Sequence, residues 1–445
     1  MEKRLGKTFC ACQWAKFHSA ARVLVVAPLS AIPGWLDEIE ADKEDIAWDL
    51  TNHTNLKQWV EAEGDLPGRF FITNPQALFR PSRGNDLGPS PRETALYPWS
   101  AVIWDELTTI YNAQSQINKV ARLCLGDIPL RLGLSGEYAP ETPLNIFEQM
   151  RWVFGSFMGF QNFWKWRNAN FQELYYDWIP KPGRKIEIRR VIEERCFILS
   201  RKSAGVVNEI AFEKRCCKLP TEIQRVYDHA EVYFEIPPNR RHGLARTTFT
   251  AYVPVLRNWL VQIAGGYPKC FEHLYSDHKL KLLWEIIQEH HTEQLVVSFR
   301  HNLEIAHAAE FLKKKRITAT IIQGGIDVPE RRKRCSAFAA GRFQVILKQA
   351  KVHFGMNLAA ADTMIRYSIS DEYKDVSQDM DRIIHPEKKR PLLYIDLVTV
   401  NTVDEDLHAA ATIDKPLQAR YWMQKIQTLG LLRAKCKLLK EQQCI

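Results

Sequence analysis

Residues 4–8 read RLGKT and residues 101–106 read AVIWDE, and these two short stretches, taken together, decide the fold. A Gly-Lys-Thr turn that opens a helix offers backbone N–H groups and an ammonium to phosphates, and a hydroxyl to Mg²⁺. An apolar run ending in Asp-Glu reads as a buried strand whose terminal carboxylates can hold a metal and orient water. Their order and spacing imply a nucleotide triphosphatase. The tripeptide alone is a weak signal, because the Gly that a full phosphate loop carries five residues upstream of Gly6 falls on Met1.

Outward from these stretches, short β-branched runs alternate with helix-length intervals in two blocks. The first block holds RVLVVAP (22–28), FFITN (70–74), AVIWDE (101–106) and LGLSG (132–136). Such continuously apolar runs are expected of parallel strands buried on both faces. The second block repeats the theme with QLVVSF (294–299), ITATIIQGG (317–325), FQVILKQ (343–349), TMIRYS (363–368) and LLYIDLV (392–398). Between them, residues 151–178 place four Trp among many Phe and Tyr at three- and four-residue spacings. A helical insertion that buries a stripe of rings is the plainer meaning, and a stacking surface for bases the other. The tail from about 405 reads as one or two amphipathic helices. The expected division is therefore 1–145, 146–280, 281–404 and 405–445.

The chain has 445 residues, 46% hydrophobic and 25% charged, with 61 Lys and Arg against 52 Asp and Glu for a net charge of +9. Length and composition fit a globular protein of two or three domains, and the basic balance favours a polyanionic partner. No run of eighteen apolar residues and no signal pattern occurs, so neither a membrane span nor secretion is expected, and the compartment is read as cytosolic. Ten cysteines lie scattered without CxxC pairs, which argues against zinc ribbons and disulfide frameworks and for reduced thiols.

The ordered set of motifs resembles the Swi/Snf-like branch of the superfamily 2 helicases, particularly the short versions of phages and bacteria, over nearly the whole chain. RLGKT (4–8) looks like the phosphate loop, VLVVAPLSAIPGWLDEIE (23–40) like the segment after it, and WDELTTIYNAQS (104–115) like the Asp-Glu box. LGLSGEYAPETPLNIFEQM (132–150) is similar to the coupling motif. VVSFRHNLEIAHAAEFL (296–312), IIQGGIDVPERRKRCSAFAAGRFQVIL (321–347), HFGMNLAAADTMIRYS (353–368) and SQDMDRIIHPEKK (377–389) follow in family order.

The resemblance implies an α/β fold of two RecA-like parallel-sheet lobes, with a helical insertion, a helical tail, and ATP and Mg²⁺ between the lobes. It implies double-stranded DNA as the partner and a bacterial or phage-infected cytoplasm as the setting. Leu5, Gly6, Lys7, Thr8, Ser135, Gly136, Gly355 and Asn357 would contact nucleotide, with Gly355 and Asn357 also gripping a DNA backbone. Lys7 would bridge the β- and γ-phosphates, Thr8 and Asp105 would hold Mg²⁺, Glu106 would polarise the attacking water, and Arg382 would neutralise the γ-phosphate. A salt bridge to Asp379 or Asp381 is the alternative for Arg382.

Several positions depart from the pattern. His385 stands where a second arginine is usual, Glu137 and Tyr138 replace Thr and Pro, and Glu387 and Lys388 replace a closing Gly and Gln. His385 is too short for bidentate phosphate contact, and Glu137 adds negative charge near the phosphates. Five residues precede Gly6, so the strand and the adenine-recognising segment expected upstream have no counterpart. The expectation is a late start, a fragment or a degraded ATP site. The basic runs at 313–316, 331–334 and 387–390 read as solvated faces, of which one or two would contact DNA phosphates. A DNA-binding protein with a non-hydrolysing site is the second reading. A nucleotide kinase is the third, and it leaves the second block unexplained.

Overall fold

The computed structural model describes every residue except 2–4, 79–92, 137–141, 175–176, 202, 206–208, 238–246, 251, 270–273, 353–355, 357, 371–375, 377–378, 386–387, 389 and 413–445. It divides into two compact units, residues 1–207 and 208–445. The division runs inside the segment 146–280 that the sequence presents as one insertion.

In the first unit, β1 (Val23–Val26), β2 (Ala47–Asp49), β3 (Phe70–Thr73), β4 (Ala101–Trp104) and β5 (Leu130–Gly133) form one sheet. The strand order is β2-β3-β1-β4-β5, and all neighbours are parallel. The period of two sends alternate side chains to two cores. Val23, Val25, Phe70, Ile72 and Ile103 pack in the cluster shared with α1 (Lys7–Phe17) and α2 (Ile32–Ala41). Leu24, Val26, Phe71, Val102 and Trp104 pack on the other face with Leu56, Trp59, Ala121 and Leu125. Both faces being covered, β1, β3 and β4 are wholly buried, while the outermost strands β2 and β5 are half-buried.

The chain then forms helices Ile146–Phe154, Phe163–Asn170 and Arg184–Arg195 around a small antiparallel pair, β6 (Phe171–Leu174) and β7 (Asp177–Pro180). Phe147, Phe157, Trp166 and Phe171 fill the core of this module with Ile146, Ile188 and Ile192. Most of the aromatic stripe is therefore packing. Trp164 is exposed, with the Arg167 guanidinium 4.7 Å from its ring centre.

The second unit contains β8 (Ile210–Cys217), a short antiparallel pair β9 (Glu235–Ile236) and β10 (Thr248–Phe249), and β11 (Leu295–Phe299), β12 (Ala319–Ile322), β13 (Val345–Gln349), β14 (Thr363–Arg366) and β15 (Leu392–Thr399). Six of them make a wholly parallel sheet in the order β12-β13-β11-β14-β15-β8. Leu295, Val297 and Phe299 face one core with Leu283, Ile286, Ile305 and Leu312; Val296, Ile346 and Met364 face the other with Phe338 and Ile383.

The expected fold class, α/β with two parallel-sheet units, is borne out. Three details differ from the sequence reading. The strand read at 132–136 runs from Leu130 to Gly133, one residue of pairing being fixed by the Leu134 N–H bond to the Trp104 carbonyl at 2.8 Å. Residues 210–217, read as helical, are a strand, because pairing with β15 outweighs the local pattern. Residues 171–180, also read as helical, form the β6–β7 hairpin. A helix Val403–Thr412 opens the expected helical tail, whose remainder lies outside the described residues. Among the described residues no helix is long and apolar enough to cross a membrane, and the seven described cysteines are free thiols.

Candidate functional site

The first sheet runs outward from β1 to β2 and β3 on one side and returns to place β4 on the other, so β1 and β4 straddle the point where the order reverses. Ligand crevices form at the carboxyl ends of strands at such a point. Asp105 and Glu106 follow β4 there, held to β1 by the Asp105 N–H bond to the Val26 carbonyl at 2.8 Å.

The Asp-Glu turn is tightly built. Asp105 Oδ1 accepts the Glu106 backbone N–H at 2.9 Å, and Oδ2 accepts the Trp35 indole N–H at 3.1 Å. Glu106 adopts the left-handed conformation, φ 52° and ψ 58°, which costs a non-glycine residue on the order of 1 kcal/mol. Strain of this kind persists where the surroundings fix it and where function uses it. Leu107 N–H bonds the Leu134 carbonyl at 2.8 Å, bringing the turn beside Ser135 and Gly136. Gly133 has to be small here, since a Cβ on it would meet a Leu107 methyl at 2.3 Å.

Burial drives the Asp105 carboxyl up to about 6, with the adjacent Glu106 charge adding to the effect. The Trp35 hydrogen bond and the Lys7 ammonium act in the opposite direction. Lys7 thus lies within electrostatic reach of Asp105. Its Nζ also donates to the Met1 carbonyl at 3.5 Å.

Lys7 and Thr8 begin α1, and Gly6 before them has φ 75° and ψ 30°, a conformation that glycine adopts without strain. The first intrahelical bond runs from Cys10 N–H to the Gly6 carbonyl at 3.0 Å. The first turn carries no acidic residue and no side-chain cap, so its N–H groups and dipole suit an anion. Leu5 and Thr8 are half-buried and Gly6 is exposed.

These residues fit a magnesium nucleotide. A desolvated Asp105 beside Glu106 is a site that gains from a divalent cation, and the donors available, hydroxyl and carboxylate oxygens, are hard. Among the described residues no group of three or more His, Cys, Asp or Glu could hold a metal. Mg²⁺ takes one or two protein oxygens and completes its shell with phosphates and water, and Thr8 and Asp105 offer such oxygens.

In the second unit, Arg382 is half-buried; its N–H bonds the Asp379 carbonyl at 3.1 Å, and its own carbonyl accepts the Leu358 N–H at 3.3 Å. Two expected motifs meet there through the backbone. Gly355 and Asn357 lie outside the described residues, as do Glu137, Tyr138 and Glu387. The Asp379 carboxylate receives the Lys348 ammonium. Several basic-run side chains are engaged locally: Lys314 with Glu310 at 2.7 Å, Arg334 with Glu330 at 2.8 Å, and Lys388 with Asp362 at 2.8 Å. Sequence reasoning placed Trp35 in the Pro- and Trp-containing segment of the resemblance but gave it no role, because its bond to Asp105 spans seventy residues.

The chain is similar to known proteins in its second unit and along most of its length. Residues 278–386 match the helicase conserved C-terminal domain. More particularly, the chain is 24% identical over 452 residues to the protein CHROMATIN REMODELING 4 of Arabidopsis thaliana, covering 91% of this chain. It spans only 19% of that relative's length. Similar solved structures include a Sulfolobus solfataricus SWI2/SNF2 ATPase core in complex with dsDNA, at TM-score 0.39 and 16% identity over 97% of this chain and 90% of that one. The Pyrococcus furiosus Hef helicase domain is similar at TM-score 0.49 and 15% identity, over 92% and 94%. The resemblance to Swi/Snf-like superfamily 2 helicases is supported by the domain match and the curated relative.

Proposed function

We propose that this protein hydrolyses ATP with Mg²⁺ and uses the cycle to move along double-stranded DNA. The observation that carries the reading is the Asp105–Glu106 turn at the β1–β4 reversal of the first sheet, with Lys7 within electrostatic reach of Asp105. The α1 N-terminus and Lys7 receive the phosphates, and Thr8 and Asp105 hold the metal. Bound Mg²⁺ offsets negative charge on the phosphate oxygens. Glu106 orients the attacking water, and its left-handed turn fixes where the carboxylate starts. Ser135 and Gly136, tied to that turn through Leu107 and Leu134, sense the state of the site. Arg382 neutralises charge developing on the γ-phosphate, and Gly355 and Asn357 complete the contacts to nucleotide and DNA.

Duplex DNA suits the net charge of +9 and the chromatin-remodelling name of the curated relative. A triplex-displacement assay tests movement: the full chain should release a third strand from duplex DNA when ATP and Mg²⁺ are present, and Lys7→Ala should not. DNA binding with neither displacement nor ATP turnover would establish instead a binding protein with a degenerate ATP site, the outcome His385 in place of arginine favours.

A further inference from the structure

We propose that Trp35 is a positioning residue that ties the phosphate-binding helix α1 to the Asp105 carboxylate. The proposal rests on the reading of Asp105 as a magnesium partner.

Trp35 is 1% exposed and sits on the first turns of α2, its N–H bonded to the Ala31 carbonyl at 3.1 Å. Its ring belongs to the apolar cluster that includes Ala11, Cys12 and Ala15, the buried face of α1. Its one polar atom leaves that cluster and donates to Asp105 Oδ2 at 3.1 Å. One side chain therefore joins both parts of the candidate site: the ring lies in the cluster that holds the buried face of α1, and the indole N–H donates to the acid at the end of β4.

The choice of tryptophan follows from this double contact. A buried indole N–H calls for an acceptor, so tryptophan in an apolar cluster is favoured where its N–H is used, as it is here by Asp105. Phe or Leu would fill the space without that requirement. The second hydrogen bond of Asp105 comes from the N–H of Glu106, inside the same turn, and it would follow any movement of that turn. The bond from Trp35 reaches Asp105 from a separate element and can fix its rotamer relative to α1. Partners that orient a metal-binding carboxylate contribute about 10- to 100-fold to metal affinity or activity.

The experiment uses Trp35→Phe, which retains most of the ring and lacks the N–H, beside Asp105→Asn. Thermal melting checks that each variant folds. For Trp35→Phe, the Mg²⁺ concentration giving half-maximal ATP hydrolysis should rise about tenfold, with the KM for ATP at saturating Mg²⁺ within about twofold of the parent. Binding of a fluorescent ATP analogue should weaken by a similar factor with Mg²⁺ present and remain unchanged in EDTA. Should Trp35→Phe not fold, benzothienylalanine at position 35, a sulfur isostere of tryptophan without the N–H, replaces it. Magnesium dependence equal to the parent in either folded variant, with Asp105→Asn impaired, overturns the role of Trp35. Magnesium-dependent binding of the nucleotide analogue that is unchanged in Asp105→Asn overturns the reading of Asp105 itself.

Discussion

In the second unit Lys279 meets Asp404 at 2.6 Å, Lys348 meets Asp379 and Arg366 meets Asp396, and all six side chains are almost wholly withdrawn from water. In the first unit the Asp105 carboxylate is held by an indole and a backbone amide, with the Lys7 charge acting through space. Those three acids of the second unit are met by direct ionic partners, whereas Glu304 of the same unit is held by the Ser368 hydroxyl and the His301 N–H. The first unit keeps a carboxylate whose burial is incompletely offset, the condition expected of a group that works on a ligand cation. Stability and site chemistry are thus separable by substitution, and the ion-paired carboxylates and Asp105 should respond with opposite signs.

The largest effect is expected at Glu106. Replacing it by glutamine keeps the shape of the turn and removes the charge that orients water, so turnover should fall roughly a hundredfold or more. Nucleotide affinity should stay within about twofold. Steady-state phosphate release and equilibrium nucleotide binding separate the two, and a parallel collapse of affinity would make Glu106 structural.

On stability, the largest effect is expected of Lys348→Met, which leaves Asp379 buried without its ammonium and should cost about 3–5 kcal/mol in chemical denaturation. The double replacement Lys348→Met with Asp379→Leu should recover most of that loss, since an apolar pair of similar volume is often as stable as an ion pair. Equal cost in the single and double variants would mean that packing, and not the orphaned charge, sets the penalty.

His278 gives the comparison a pH axis. Burial first, and Lys279 second, depress its imidazole to about 4, while Nε2 lies 3.0 Å from the Ala264 carbonyl and Nδ1 3.0 Å from Ser276 Oγ. The unfolded chain takes up a proton near pH 6.5 and the folded one only near 4. The contribution is therefore fully present above about 6.5 and is lost as pH falls towards 4, by up to about 3 kcal/mol. Equilibrium unfolding across that range should show the slope, and His278→Gln should reduce it.

The smallest effect carries the opposite sign. Asp105→Asn removes a buried anion but leaves one acceptor oxygen where the carboxylate served both the Trp35 and the Glu106 N–H, so the ligand-free protein at pH 8 should gain no more than on the order of 1 kcal/mol. Hydrolysis should be lost in the same variant. A ligand-free protein destabilised by this substitution would remove the contrast.

The sequence exposed the parts of this arrangement that depend on local pattern. The runs at 22–28, 70–74, 101–106 and 343–349 were legible because strands buried on both faces read as unbroken apolar stretches. Gly6-Lys7-Thr8 was legible because a left-handed glycine and a helix start leave a chemical trace. β8 was not, since IAFEKRCC lies on the sheet edge with only alternate residues half-covered, and its partner β15 is far away in the chain. The tie from Trp35 to Asp105 and the pairing of Lys348 with Asp379 are long-range contacts between residues whose types have many other uses.

The most direct test of the central claim is steady-state phosphate release from ATP by the full chain, with and without duplex DNA, beside Lys7→Ala. The account predicts slow release alone, faster release with duplex, and neither in the Lys7 variant. A rate no higher than that of Lys7→Ala would contradict the assignment of the site, and an equal rate with and without DNA would contradict the coupling of that site to DNA.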